Sequence, residues 1–235
     1  MKVALEFEGR RLAEAKIPAL PGGRRVLLPV LRRAADALLA EGARRQGVAP
    51  TCRAGCAACC RQLVPLASAE ADDLRARLAR LPAPRRAALE ARFGAARRRL
   101  AATGLEDLLM DVRQIPPEGL EVLGGQYLEA GVDCPFLEDD RCMIYRHRPL
   151  ACRQYSVSSP PDECAGAAGR VRRIAPAGRA INAALDAADG TSWIPLPMLL
   201  DGSARSTTRG DDAERLASVW RHATAGRGAL CRVGS

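Results

Sequence analysis

The chain has 235 residues, enough for one large domain with a hydrophobic core of its own. Apolar residues make up 48% and aromatic ones 3%, so the chain reads as globular, with a core resting on Leu, Ala, Val and Ile. The net charge of +9 is carried by arginine, Lys2 and Lys16 being the only lysines; a basic balance can attract nucleic acid, but base-stacking aromatics are scarce and the arginines alternate with Glu and Asp, which argues against that partner.

Residues 1–11 carry charges throughout, with no apolar stretch of the secretory kind. No run of about 18 apolar residues occurs, so no membrane span is expected. The expected compartment is the reducing cytoplasm. Nine cysteines there call for a reason other than disulfides, and thiolates on a metal supply one.

In chain order, residues 1–16 alternate in part (Val3, Leu5, Phe7) and suggest a short opening strand. Residues 26–41 read as a helix, with Pro29 in its first turn and Gly47 and Pro50 after it. Residues 51–61 form the first cysteine segment, and 62–66 an extended stretch. Ser68 is a candidate N-cap for a helix to 81, followed by Pro82 and an Ala- and Arg-rich helix over 84–103. These two helices suggest an antiparallel hairpin. Shorter helices are expected over 105–113 and 118–129. The run from Cys134 to Tyr145 has two short apolar pieces around Glu138-Asp139-Asp140-Arg141 and predicts a β-hairpin. Residues 156–163 read as loop, 175–188 and 211–224 as helices, and the tail from 226 as loose. The fold class expected is mainly α, with a small cysteine-rich lobe containing a short β-hairpin. One domain over 1–235 is expected, with a cysteine-cluster core at 51–164 and a C-terminal helical extension at 174–235.

Cys52, Cys56, Cys59 and Cys60 follow C-x3-C-x2-C-C. On a helix these positions share an arc of roughly 100°; on a loop, C-x2-C is the usual spacing of two ligands on one ion. Four cysteines in nine residues exceed what burial as small apolar residues would explain. A second group is Cys134, Cys142, Cys152 and Cys164. A hairpin would bring Cys134 and Cys142 near one ion. Arg61, Arg141, Arg146, Arg148 and Arg153 stand among these cysteines and can offset thiolate charge. Cys231 lies apart from both groups.

These motifs resemble the CxxCxxCC (YkgJ-like) family of zinc- or iron-chelating cysteine-cluster proteins. The matching residues are Cys52-x3-Cys56-x2-Cys59-Cys60, then Cys134-Pro135-Phe136-Leu137, then Cys142-x2-Tyr145-x2-Arg148-Pro149-x2-Cys152-Arg153-x-Tyr155, and Cys164. The first gap is three residues where the family name has two. The resemblance implies a metal ion, zinc or iron, as the cofactor, and no defined reaction. Eight thiols could fill two four-cysteine zinc sites, or hold a 4Fe–4S cluster with four thiols over. Flagellin lysine N-methylases look similar through the same cluster, which makes an iron–sulfur-dependent group-transfer enzyme the alternative reading. Cys52, Cys56 and Cys59 also match the C-x3-C-x2-C triple of radical S-adenosylmethionine enzymes, but no alternation of strands and helices follows. His147 is a further candidate ligand, Tyr145 and Tyr155 read as packing over the site, and Glu70, Asp72 and Asp73 as helix N-terminal charges.

Overall fold

The computed structural model describes residues 2–16, 28–112, 115, 119–165, 171–179, 181–182, 184–185, 193–201, 218–221, 223–224 and 230–234. It is mainly helical with small antiparallel sheets. None of the described helices is long and apolar enough to cross a membrane.

The chain begins with a hairpin, not a lone strand: β1 (Lys2–Phe7) pairs with β2 (Arg10–Lys16). Glu8 (φ 49°) and Gly9 (φ 76°) turn it in the left-handed conformation that suits the twist of a two-residue hairpin. The third strand comes from the far end of the chain. Residues 230–234 form β7 (Leu230–Gly234), antiparallel to β1, with Cys231 opposite Leu5. Of the tail, residues 230–234 are therefore a paired strand and not loose, while 226–229 and 235 lie outside the described residues. Its ladder partner is more than 200 residues away, so no local pattern announces it.

α1 (Leu28–Gln46) packs against β2. It passes through Gly42 and ends at Gly47 (φ 63°), where Gly47 N–H bonds Arg44 O and Val48 N–H bonds Ala43 O, a Schellman cap. Glu41 ties the helix to the hairpin: it meets Arg44, Arg45 and Arg10 of β2, and its carboxyl is held down at about 2, first by Arg44 and then by Arg45.

α2 (Ser68–Leu78) takes Ala67, not Ser68, as its N-cap. α3 (Ala83–Ala102) ends at Gly104 (φ 71°) in a second Schellman cap, with Leu105 N–H on Leu100 O. α2 and α3 share one core through Leu74, Leu78, Leu89 and Phe93; the segments packed on α3 are α4 (Glu106–Met110) and the turn Leu196–Met198. α5 is Gly119–Glu129. β3 (Pro65–Leu66) pairs with β6 (Ile194–Pro195), and the expected hairpin forms from β4 (Leu137–Glu138) and β5 (Arg141–Cys142). Asp139 (φ 48°) and Asp140 (φ 55°) make its turn. α6 is Leu150–Gln154.

The helix expected over 175–188 does not start there. Residues 175–179 run without helix because Ala177 N–H bonds Leu38 O and Gln46 Nε2 bonds Ala175 O, so this backbone lies along α1 instead. Helical residues follow at 181–182 and 184–185, while 186–188 lie outside the described residues. Of the helix expected over 211–224, residues 218–221 and 223–224 are helical and 211–217 lie outside the description.

Two cores result. One joins the terminal sheet, α1 and Trp220; the other joins α2, α3, α4, α5 and residues 194–199. α2 and α6 reach both: Ala67, Ala69 and Leu150 sit in the first, and Leu74, Leu78, Ala151 and Cys152 in or against the second.

Candidate metal centre

The cysteine segment 51–61 is pinned at both ends. Thr51 N–H and Oγ1 bond the carbonyls of Val157 and Ser159. Gly55 (φ 88°) turns the loop, and Ala58–Arg61 forms one 3-10 turn, so the four cysteines do not share a continuous helix. That turn packs on another, Pro161–Ala165, which carries Cys164. Gln62 Nε2 secures the contact by bonding Tyr155 Oη at 2.8 Å and Cys164 O at 3.2 Å.

The second block comes up against the first through backbone. Cys134 N–H bonds Cys60 O at 2.7 Å, and Arg61 meets Asp133 at 2.9 Å. Cys134-Pro135-Phe136-Leu137 closes a turn, Leu137 N–H on Cys134 O, and Phe136 anchors it edge-on to Phe93 at 5.4 Å. Cys134 also lines a cavity of about 330 Å³ between α3 and residues 131–137, with Arg92, Arg99 and Asp133 in its wall. β5 then presents Cys142, and α6 presents Cys152.

The thiols act on one another in a definite pattern. Cys59 is pushed up by a hydrogen bond with the Cys60 thiol and by burial. Cys134 is pushed up to about 12 by burial, with Cys142 and Cys59 adding to it and the Phe136 N–H opposing. Cys142 is raised by burial and by Cys59. Cys152 is raised strongly by burial and then by Cys134, Cys59 and Cys142. Cys59, on the 3-10 turn, thus bears on Cys134, Cys142 and Cys152, which come from three other segments; we call these four the inner group. Cys164 is raised by burial and by Cys59, Cys52 and Cys56, which makes an outer group joined to the inner one at Cys59. Seven of the eight are part-buried free thiols and Cys164 is buried.

Among the described residues, no group of three or more His, Cys, Asp or Glu side chains stands in an arrangement that holds an ion as it is. The donor set nonetheless suits a thiophilic cation. It is all sulfur, its protons are held by mutual repulsion and burial, and a metal that displaces those protons relieves both.

Burial lowers the pKa of His147, and the charges that bear on it are Arg77 and Asp73 of α2, Arg32 of α1 and Arg153 of α6. Tyr145 lies under Arg148 at 4.6 Å and Tyr155 under Arg173 at 4.8 Å. The sequence reading missed Glu70. Beyond its helix-start position, it reaches out of α2 to the first turn of α6, and burial raises its carboxyl to about 7. Its one signal was a Glu three residues past an N-cap; its second partner is 80 residues away.

Residues 51–166 match the family model described as "CxxCxxCC: Putative zinc- or iron-chelating domain", so the chain carries this domain, the one its motifs resemble. No curated protein and no solved structure matches the chain.

Proposed function

We propose that this CxxCxxCC-domain protein chelates a thiophilic metal, zinc or iron, through two sets of thiolates. Cys59, Cys134, Cys142 and Cys152 hold one ion as a closed four-thiolate site. Cys52, Cys56 and Cys164, with Cys60 as the fourth donor, hold a second at the surface of the lobe. The observation that carries the reading is the coupling of thiols from a 3-10 turn, a loop, a hairpin strand and a helix: Cys59 raises Cys134, Cys142 and Cys152, Cys142 raises Cys134 and Cys152, and Cys134 raises Cys152. Four protein sulfurs on one ion leave no open position for a substrate, which favours holding metal over a reaction at the inner site. Thiolate suits zinc and iron alike.

The test is anaerobic purification of the full chain with metal and acid-labile sulfide measured on one sample. Zinc or iron at one to two per chain (about the number eight thiols can fill) is expected, and Cys59→Ser should lower it. A metal content unchanged in both Cys59→Ser and Cys134→Ser would remove the inner assignment. Sulfide in equal amount to iron would replace single ions by a 4Fe–4S cluster on the same thiols.

A further inference from the structure

Four thiolates around a divalent cation leave a charge of about −2 in a part-buried place, which is costly unless something offsets it. Six arginines, Arg53, Arg61, Arg141, Arg146, Arg148 and Arg153, lie near the cysteines in the chain, and their surroundings separate them. Arg61 is tied to Asp133 at 2.9 Å. Arg153 is tied to Asp36 at 2.8 Å and to the carbonyl of Arg146 at 2.7 Å. Arg53, Arg141 and Arg146 are exposed. Arg148 and Arg153 are both half-buried, each with a buried Nε that has no hydrogen-bond partner. Arg148 differs in what holds the rest of its guanidinium: it rests over the Tyr145 ring at 4.6 Å, where the Arg153 group is anchored on Asp36 and the Arg146 carbonyl. The positive charge of Arg148 bears on both Cys59 and Cys142.

The local chain explains why it faces that way. Arg148 precedes Pro149 and is extended (φ −55°, ψ 146°), as a residue before proline must be. It therefore stands between the 3-10 turn Tyr145–His147 and α6, in neither, with Cys142 on one side in sequence and Cys152 on the other. The Tyr145 ring limits the guanidinium to one plane. A buried donor left unpaired forfeits its hydration without replacement, so the Nε–H calls for an acceptor. Neutral thiols accept weakly. Thiolates formed on metal binding accept well.

We propose that Arg148 is the countercharge and N–H donor of the inner metal centre, a positioning residue that donates its Nε–H to a metal-bound sulfur of Cys59 or Cys142. This rests on the chelation reading above. It assigns to the Arg-Pro step a role in setting the strength of the site and the electron density on its sulfurs.

Cobalt(II), which takes tetrahedral thiolate sites and is coloured in them, tests it. The full-length protein is titrated anaerobically with Co²⁺ against a chelator of known affinity, and the thiolate-to-cobalt charge-transfer band is recorded. Arg148→Met is expected to bind Co²⁺ about 10–100-fold more weakly, the usual effect of losing such a partner. Its band should move to longer wavelength, because a sulfur without an N–H donor gives up its electron more easily. Arg148→Lys returns the charge without the flat N–H edge, so it should recover part of the affinity while the band stays displaced. A band unmoved in Arg148→Met overturns the proposal whatever the affinity, since weaker binding alone is what a residue that merely props the fold would give. If Arg148→Met does not fold, Arg148→Lys is read in its place, and an unmoved band there is equally fatal. A wild-type protein with no charge-transfer band at all overturns the chelation reading, and this inference with it.

Discussion

Glu70 Oε1 accepts the backbone N–H of Leu150 at 2.7 Å. Its other oxygen accepts the Ala67 N–H at 3.1 Å. One buried carboxylate thereby caps the first turns of α2 and α6, the two helices that reach both cores. α6 carries Cys152, so the placement of an inner thiol depends on this link.

Burial raises Glu70 to about 7, against the pull of the Leu150 and Ala67 N–H groups. A carboxyl raised in the folded state adds stability that is full below its unfolded pKa and is lost as pH rises through the folded one. Relative to Glu70→Gln, the native protein should therefore lose stability between about pH 4 and pH 7, by on the order of 3 kcal/mol. Denaturant unfolding of both proteins at several pH values measures the gap. A gap that stays constant or widens with pH contradicts the assignment.

Asp73 sits in a buried cluster, with Arg32 Nη2 at 3.0 Å and Arg77 Nε at 2.9 Å. Burial pushes its carboxyl up, but Arg77 and Arg32 together hold it below the usual carboxylate range. The stability it lends is present above the ordinary carboxylate pKa and is lost as pH falls through the lowered value. Asp73→Asn leaves Arg32 buried and uncompensated, and should cost about 3 kcal/mol or more at neutral pH. A loss under about 1 kcal/mol, the range of exposed pairs, would mean the cluster is solvated.

Two helical glycines should respond in opposite directions to alanine. At Gly42 a Cβ would fall on Ala175 O, with Pro176 Cα 2.9 Å away, and backbone cannot step aside cheaply. Gly42→Ala should cost about 1–3 kcal/mol. At Gly94 the nearest atom is Arg98 Nη1 at 3.3 Å, the end of a flexible side chain. Gly94→Ala should instead stabilise by about 0.5–1 kcal/mol. Thermal unfolding of the pair decides it, and a Gly42→Ala protein as stable as the native one or more so would disprove the close approach of residues 175–176 to α1.

Metal removal should loosen the cysteine lobe before the cores. In hydrogen exchange, the amides of Cys134, Leu137 and Met143, which hold the lobe's turns, should lose protection in chelator while α1 and α3 keep theirs. Uniform loss across the chain would place the metal in the global fold instead. Cys152→Ser should lower metal content. Cys231→Ser should leave it unchanged, because β7 belongs to the terminal sheet.

Features that are local could be read from the order of residues. Helices α1 to α3 were legible because period, proline and glycine punctuation all lie within the segment. So was the 137–142 hairpin, whose turn residues tolerate a left-handed backbone. The grouping of eight cysteines in two blocks was legible as well, since it is a matter of sequence order alone. Features that depend on distant partners came from the packed chain alone. Packing paired the tail with β1, laid residues 175–177 along α1 and sent Glu70 to α6. It brought Cys59 of the first block to bear on Cys134, Cys142, Cys152 and Cys164 of the second. It also set Arg148 over the Tyr145 ring with its Nε buried and unpaired. One cause underlies all of these. Backbone ladders, buried caps and charge pairs are satisfied by whichever group the packed chain brings within about 3 Å, and sequence spacing carries no record of which group that is.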